Sequence, residues 1–208
     1  MNPSTLINSN RWNRFRYTLY APGYDIAGRI FSKSRNRSIN ELGINPDDEV
    51  LIVGAGTGLD LEFITQDCHI IATDITPAMI TQTIKKNTIL KLNLTAVVMD
   101  GQHLNFADNS VDKIILHLIL AVIPDPVLCL KECERVLKPG GRITIFDKFV
   151  PKGRPLSFWR KFFNPLTNLL FSNINRRFES IVCATSLITE SDVAADFNGN
   201  FRLIRLVK

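Results

Sequence analysis

A short apolar run that breaks directly into three closely spaced glycines constrains this chain more than any other feature. Val50-Leu51-Ile52-Val53, after Glu49, has the β-branched, uninterrupted character of a strand buried on both faces, and Gly54-Ala55-Gly56-Thr57-Gly58 follows at once. Glycines at this spacing let the backbone turn tightly and approach a ligand. The turn is expected to open a helix running to about Gln66, whose first N–H groups would face that ligand. Leu59 stands where a dinucleotide fingerprint would place its third glycine, and the Gly-Lys-Ser/Thr of a phosphate-cradling loop is absent. A tight strand–helix turn without any ligand is the alternative.

The same rhythm continues downstream. His69–Asp74 is expected as a second strand, Pro77 opens a helix to about Leu90, and strands are expected at Thr95–Met99 and Asp112–Leu118. A helix from about Val127 to Leu137 ends at Lys138-Pro139-Gly140-Gly141, ahead of a fifth strand, Arg142–Lys148. Strands separated by helices imply right-handed crossovers, hence an α/β, Rossmann-like, mostly parallel sheet with helices on both faces. Two late runs, Ser180–Ile188 and Phe201–Val207, are expected to close it as an antiparallel pair. Residues 1–40 read as one or two lid helices broken at Pro22-Gly23, residues 41–150 as a ligand-binding core, 151–178 as a basic aromatic insertion and 179–208 as the last two strands. All belong to one domain, as the length of 208 residues suits.

Two acids lie at the ends of successive strands. Asp74, twenty residues after Gly54, would project beside the glycine turn and accept from a ribose diol; capping the next helix is its alternative role, for which Thr76 is better placed. Asp100, in Met99-Asp100-Gly101, can accept from an exocyclic amine, or merely shape a turn. Together with the glycine turn they describe a nucleoside pocket with no dedicated phosphate grip.

The cysteines, Cys68, Cys129, Cys133 and Cys183, form no Cys-x-x-Cys pair, and His69, His103 and His117 stand at no metal-ligand spacing to them, so no metal is expected. Cys129 and Cys133 read as reduced thiols. The opening residues carry no secretory apolar run, and the longest apolar stretch, Ile114–Ile123, is interrupted by His117 and falls well short of the roughly 20 residues a membrane span needs. A cytoplasmic chain is expected, touching a membrane at most from its surface.

The successive segments Val50–Gly58, Thr73-Asp74-Ile75-Thr76-Pro77-Ala78-Met79 and Met99-Asp100-Gly101, then Phe106–Asp112 and Arg135–Arg142, resemble the ordered motifs of class I S-adenosylmethionine-dependent methyltransferases. The resemblance covers about residues 40–150. It is nearest to the branch holding quinone C-methyltransferases and bacterial phosphatidylethanolamine N-methyltransferases. It implies a seven-stranded sheet ending in an antiparallel hairpin, and S-adenosyl-L-methionine as cofactor. By resemblance Gly54, Ala55, Gly56 and Gly58 line the methionine end, Asp74 binds the ribose, Ile75 and Met79 pack near the adenine, and Asp100 and Gly101 hold its amine. His117 is implied near the transferred methyl, as a cofactor contact or proton acceptor, with a packed core histidine as the alternative. The segment Tyr17–Asp25 resembles a lid, in which Tyr17, Tyr20 or Tyr24 would cover the cofactor or serve in catalysis. Ala121-Val122-Ile123-Pro124-Asp125-Pro126 lacks the His or aromatic of many relatives, a departure that favours the phospholipid branch and removes a familiar base.

Charge divides along the chain. Residues 148–178 carry seven basic residues and no acid, residues 1–37 seven basic residues and only Asp25, while the span between is acidic. In the insertion Phe158, Trp159, Phe162 and Phe163 share a helical face beside Arg160 and Lys161, the pattern of an interfacial helix on an anionic membrane; Trp12, Phe15 and Leu19 among Arg11, Arg14 and Arg16 repeat it. A solvated rim around a substrate lid is the alternative. Nucleic acid is disfavoured, because the Asn-Pro-Pro-Tyr-like motif is missing. The expected activity is methyl transfer to a small or lipid-like acceptor, above all the amine headgroup of phosphatidylethanolamine. A quinone-like C- or O-acceptor, or cofactor binding without catalysis, are the alternatives.

Overall fold

A computed structural model describes residues 9–21, 23, 25, 28–152, 175–197 and 199–208. The insertion's aromatic face and Tyr24 lie outside these residues. Two helices precede the sheet: α1 (Asn10–Tyr20), capped by Ser9 Oγ accepting from Trp12 N, and α2 (Ser32–Leu42), ended by Gly43 at φ 67°. A short 3₁₀ turn, Arg29–Phe31, leads into α2. Then come β1 (Glu49–Val53), β2 (His69–Asp74), α3 (Pro77–Leu90), β3 (Leu94–Val98), β4 (Val111–His117), α4 (Pro126–Val136) and β5 (Leu137–Lys148). A one-and-a-half-turn helix, α5 (Phe178–Val182), precedes β6 (Ile188–Ala194) and β7 (Phe201–Val207).

The seven strands form one sheet in the order β3-β2-β1-β4-β5-β7-β6. Strands one to five pair in parallel, while β7 lies antiparallel to both β5 and β6. The Rossmann-like fold with its antiparallel C-terminal hairpin is therefore as expected. The period-2 alternation of β1 splits the core: Leu51 and Val53 join α4, α5 and the β4–β5 side chains on one face, whereas Val50 and Ile52 join Ile39 and Leu42 of α2 on the other. Each such side chain, fully buried, contributes on the order of 1.5–3 kcal/mol.

Several boundaries differ from the sequence reading, each for a local reason. The helix expected after the glycine turn is only a 3₁₀ segment, Leu59–Phe63. Asp60 is buried against Arg35 and His117 at its start, and Ile64 turns extended at ψ 110° to lead toward β2 at His69. The late run Ser180–Ile188 is not a strand: Phe178 and Ile181, one helical turn apart, bury together in α5, and pairing starts only at Ile188. β5 starts at Leu137 instead of Arg142, since Leu137 pairs with Val111 before Lys138–Gly141 bulge out and the register resumes at Lys113–Arg142. Lys208 closes this end, its Nζ donating to Glu134 O, Leu137 O and Asn109 Oδ1, each at 2.7 Å, so a cation meets the carbonyl end of α4.

Candidate functional site

At the carboxyl edge of the parallel strands lies a cleft of about 750 Å³, counting the solvent at its mouth. The turn after β1 forms its floor. Gly54, Gly56 and Gly58 all adopt positive φ, at 74°, 58° and 78°. The N–H groups of Gly54 and Ala55 both donate to Thr73 O at 2.8 Å, that of Gly58 to Ala55 O at 3.0 Å, and that of Gly56 to Asp74 Oδ2 at 3.0 Å. These amides are thus consumed inside the protein, contrary to the expectation of open donors. The turn serves close approach and not anion capture. A Cβ on Gly54 would lie 2.7 Å from Ile119 Cδ1, so the missing side chain lets the loop after β4 close over the turn.

Asp74, ending β2, accepts from Gly56 N and from Thr76 N at 2.8 Å. Burial pushes its carboxyl up, and the two amides oppose the rise. A carboxylate offers about four acceptor positions, so two remain for a ligand. Thr76 occupies the cap position of α3, but its hydroxyl makes no capping bond; Asp74 holds the amide of Thr76 itself. Thr76 is 1% exposed, lines the cavity, and its Oγ1 has no hydrogen-bond partner among the described residues. An orphaned buried hydroxyl beside a half-used carboxylate, over a turn whose glycine amides are spent, fits a nucleoside better than a phosphate.

Asp100, beyond β3, is more heavily engaged. Asn10 of α1 donates to its Oδ2 at 2.5 Å, and Gln102 donates through its backbone N at 3.0 Å and its side chain at 3.1 Å. Gln102 Oε1 in turn accepts from Asp125 N at 2.8 Å, and Asp125 caps α4 through Leu128 N. A Cβ on Gly101 would lie 2.6 Å from Val53 Cγ1 and 3.3 Å from Ile123 Cδ1. Gly101→Ala is accordingly expected to lower stability by about 1–3 kcal/mol in urea denaturation, from overpacking where β1 meets the cavity wall.

Of the residues singled out in the sequence, Gly54, Ala55, Gly56, Asp74, Ile75, Met79, Asp100, Gly101 and His117 all line this cavity. Gly58 does not. It precedes the 3₁₀ segment, where a Cβ would meet Thr83 Cα of α3 at 3.3 Å, so it is a packing glycine. Tyr20 also lies outside the lining. Asn10, Asn13 and Tyr17 share one face of α1 and reach the cavity; Tyr20 sits a turn further on, packed edge-on against Tyr17 with ring centroids 5.9 Å apart.

His117 lines the cavity from the end of β4, but both its ring nitrogens are occupied. Nδ1 lies 2.7 Å from Asp60 Oδ1 and Nε2 2.9 Å from Ser38 Oγ, which is 2.6 Å from Thr144 Oγ1. A proton on Nδ1 directed at Asp60 leaves Nε2 to accept from Ser38, and no nitrogen is presented to an acceptor molecule. The proton-acceptor expectation for His117 finds no geometric support. Asp60 also receives Arg35 Nη1 at 2.7 Å, with side-chain exposures of 5% for Arg35 and 3% for Asp60. Sequence reasoning passed over Arg35, although Ser34, Arg35 and Ser38 on the face that α2 shares with Ile39 and Leu42 were a readable sign of buried polarity.

Among the described residues no group of three or more His, Cys, Asp or Glu side chains is placed to hold a metal. Residues 51–145 match the model of a family described as a methyltransferase domain. Similar proteins include a demethylmenaquinone methyltransferase of Corynebacterium glutamicum, 31% identical over 62% of this chain and 56% of that enzyme. A phosphatidylethanolamine N-methyltransferase of Cereibacter sphaeroides is 24% identical over 88% of this chain and 91% of that enzyme. This chain thus spans little more than half of the first relative and nearly all of the second. In fold it is similar to a putative methyltransferase solved in complex with the Haloferax volcanii Trm112 activator, with a TM-score of 0.74 at 17% identity, covering 92% of this chain and 96% of that one.

Proposed function

We propose that this chain, which carries a methyltransferase domain over residues 51–145, transfers a methyl group from S-adenosyl-L-methionine to a small or lipid-like acceptor. The observation that carries this reading is the pair of carboxylates, Asp74 and Asp100, closing the ends of adjacent strands beside a turn whose Gly54, Ala55, Gly56 and Gly58 amides are already bonded within the protein. The cofactor supplies a methyl carbon already electrophilic on its sulfonium. The protein's tasks are therefore orientation and the exclusion of water. Asp74 accepts from the ribose hydroxyls, Ile75 and Met79 flank the base, and Asp100 takes its amine once Asn10 yields. Tyr17 covers the cavity from α1. Ile119, Val122 and Ile123 give the acceptor an apolar wall. Among the described residues that wall offers no proton acceptor, and in this reading an amine acceptor sheds its proton to water before it enters.

Within this reading the acceptor is the amine headgroup of phosphatidylethanolamine. Support comes from the likeness, over 88% of this chain and 91% of that enzyme, to a phosphatidylethanolamine N-methyltransferase and from the apolar wall. A quinone-like carbon acceptor is the second reading, favoured by the higher identity to demethylmenaquinone methyltransferases. Incubation with methyl-labelled cofactor separates them: label is expected in phosphatidylethanolamine vesicles, and label only in a demethylated quinone would overturn the headgroup assignment.

The protein works at the cytoplasmic surface of an anionic membrane. Among the described residues no helix is long and apolar enough to cross one. The outer face of α1 exposes Arg11 and Arg14 beside Phe15 at 58% and Leu19 at 64%, and residues 148–178 carry no acid. Sedimentation with anionic vesicles is expected to fall steeply as salt rises; equal, salt-independent binding to neutral vesicles would contradict the electrostatic contact.

A further inference from the structure

The loop after β4, Leu120-Ala121-Val122-Ile123-Pro124, has no polar side chain with which to hold its own shape. Its backbone is nevertheless tied from two sides by charged residues distant in sequence. Arg176 donates through Nη1 to Leu120 O, and through Nη2 to Ile123 O at 2.6 Å and Pro124 O at 3.3 Å. From the other side Asp147, on β5 and 0% exposed, accepts from Ala121 N at 2.9 Å and from Lys148 N at 2.7 Å. Arg176 is itself anchored, its carbonyl accepting from Val150 N at 2.9 Å just beyond β5.

Arg176 and Asp147 thus grip the loop at three carbonyls and one amide, Asn13 Nδ2 of α1 adds a bond to Val122 O at 3.3 Å, and Val122 and Ile123 line the cavity. Two features of the loop make such a grip necessary. Leu118, which leads into it, holds φ at 59°, a left-handed conformation that a branched side chain adopts only under constraint. That turn sends Ile119 over Gly54. A planar guanidinium bonded to several carbonyls fixes orientation as well as distance, which a lysine ammonium does only in part. Neither Arg176 nor Asp147 lines the cavity, so neither touches a ligand directly.

We propose that Arg176 and Asp147 form a clamp that positions the Ile119–Ile123 wall, and through it selects the acceptor, while leaving the cofactor carboxylates untouched. The acceptor part rests on the methyltransferase reading above; the clamp does not. Asp147 suits the task because burial, largest among its influences, pushes its carboxyl up to about 6 against the bonds from Ala121 N and Lys148 N and the charges of Lys148 and Arg176. A carboxyl kept under that burden indicates a site whose geometry requires it.

Backbone hydrogen exchange and calorimetry with S-adenosyl-L-homocysteine test this on the intact chain. In Arg176→Met the amides of Ala121, Val122 and Ile123 are expected to exchange about tenfold faster or more, with β1 and β4 unchanged. Arg176→Lys is expected to restore part of the protection, and Asp147→Asn, which can accept from only one of the two amides, to loosen the same loop if the methionine variant does not fold. Affinity for S-adenosyl-L-homocysteine should stay within about threefold, while KM for phosphatidylethanolamine vesicles rises about tenfold. Unchanged loop exchange, or acceleration spread evenly over the sheet, would overturn the clamp. If the unmodified protein methylates no vesicle lipid, the headgroup reading fails, and the exchange result still decides the clamp on its own.

Discussion

Asp74→Ala is expected to weaken S-adenosyl-L-homocysteine binding by about a hundredfold or more in calorimetry, with the fold intact. Hydrogen bonds to a charged acceptor are worth about 1.5–3 kcal/mol each, and a ribose diol would make two. The side chain also organises its own surroundings, since its two oxygens hold Gly56 N and Thr76 N and so set the turn against the start of α3. The alanine variant therefore loses both the ligand's acceptor and the order of the floor it rests on. Asp74→Asn keeps the shape but one oxygen only, and an intermediate loss is expected. Unchanged affinity in the alanine variant would refute the ribose assignment.

Asp60→Ala should cause the largest loss of stability, about 3–5 kcal/mol in urea denaturation, because it strands a buried charge. Arg35 Nη1 and His117 Nδ1 each lie 2.7 Å from this carboxylate. Most domains of this size are stable by only about 5–15 kcal/mol. The acid limb of the stability profile carries the same signature. Burial alone would push the Asp60 carboxyl up, but the Arg35 guanidinium and the hydrogen bonds from Arg35 and His117 overcome it and hold the group below the usual carboxylate range. A depressed native pKa stabilises the fold above the unfolded value of about 4, and that stabilisation is lost as pH falls below it. The wild-type protein is therefore expected to lose stability steeply below about pH 4, and Asp60→Asn to show a lower, flatter profile there. Parallel acid limbs would mean that Asp60 is not the group responsible.

The parts of the site legible in the sequence were those written consecutively along it. Glycines after β1, Asp74 after β2 and Asp100 after β3 follow from strand ends, and a strand end needs only a local pattern to be found. What escaped reading depends on chain segments that return from far away. Asn10 reaches Asp100 across 90 residues and His117 reaches Ser38 across 79, and no spacing rule joins such pairs. The 3₁₀ segment at Leu59–Phe63 was misread for a related reason: its shape is set by Asp60's ties to α2 and β4 and not by local propensity. β6 was placed too early because the β-branched residues before Ile188 suit a strand, while tertiary burial of Phe178 and Ile181 favours a helix turn.

The division of charge also changes meaning once the fold is known. The basic flanks are not uniformly turned outward. Arg35 is 4% exposed and spent on Asp60, and Arg176 is spent on backbone carbonyls, whereas Arg11 and Arg14 of α1 remain at the surface. Part of each flank therefore builds the cavity and part is left to meet a partner.

The central claim is that the cavity serves catalysis and is not merely a surviving nucleoside pocket. Its most direct test is transfer of labelled methyl from S-adenosyl-L-methionine into a total lipid extract, with the wild-type protein and Asp74→Ala side by side. The account predicts a labelled product in the organic phase with the wild-type protein, reduced at least in proportion to the lost cofactor affinity in the variant. Tight cofactor binding with no labelled product in the organic or the aqueous phase would contradict it and leave a binding protein in place of an enzyme.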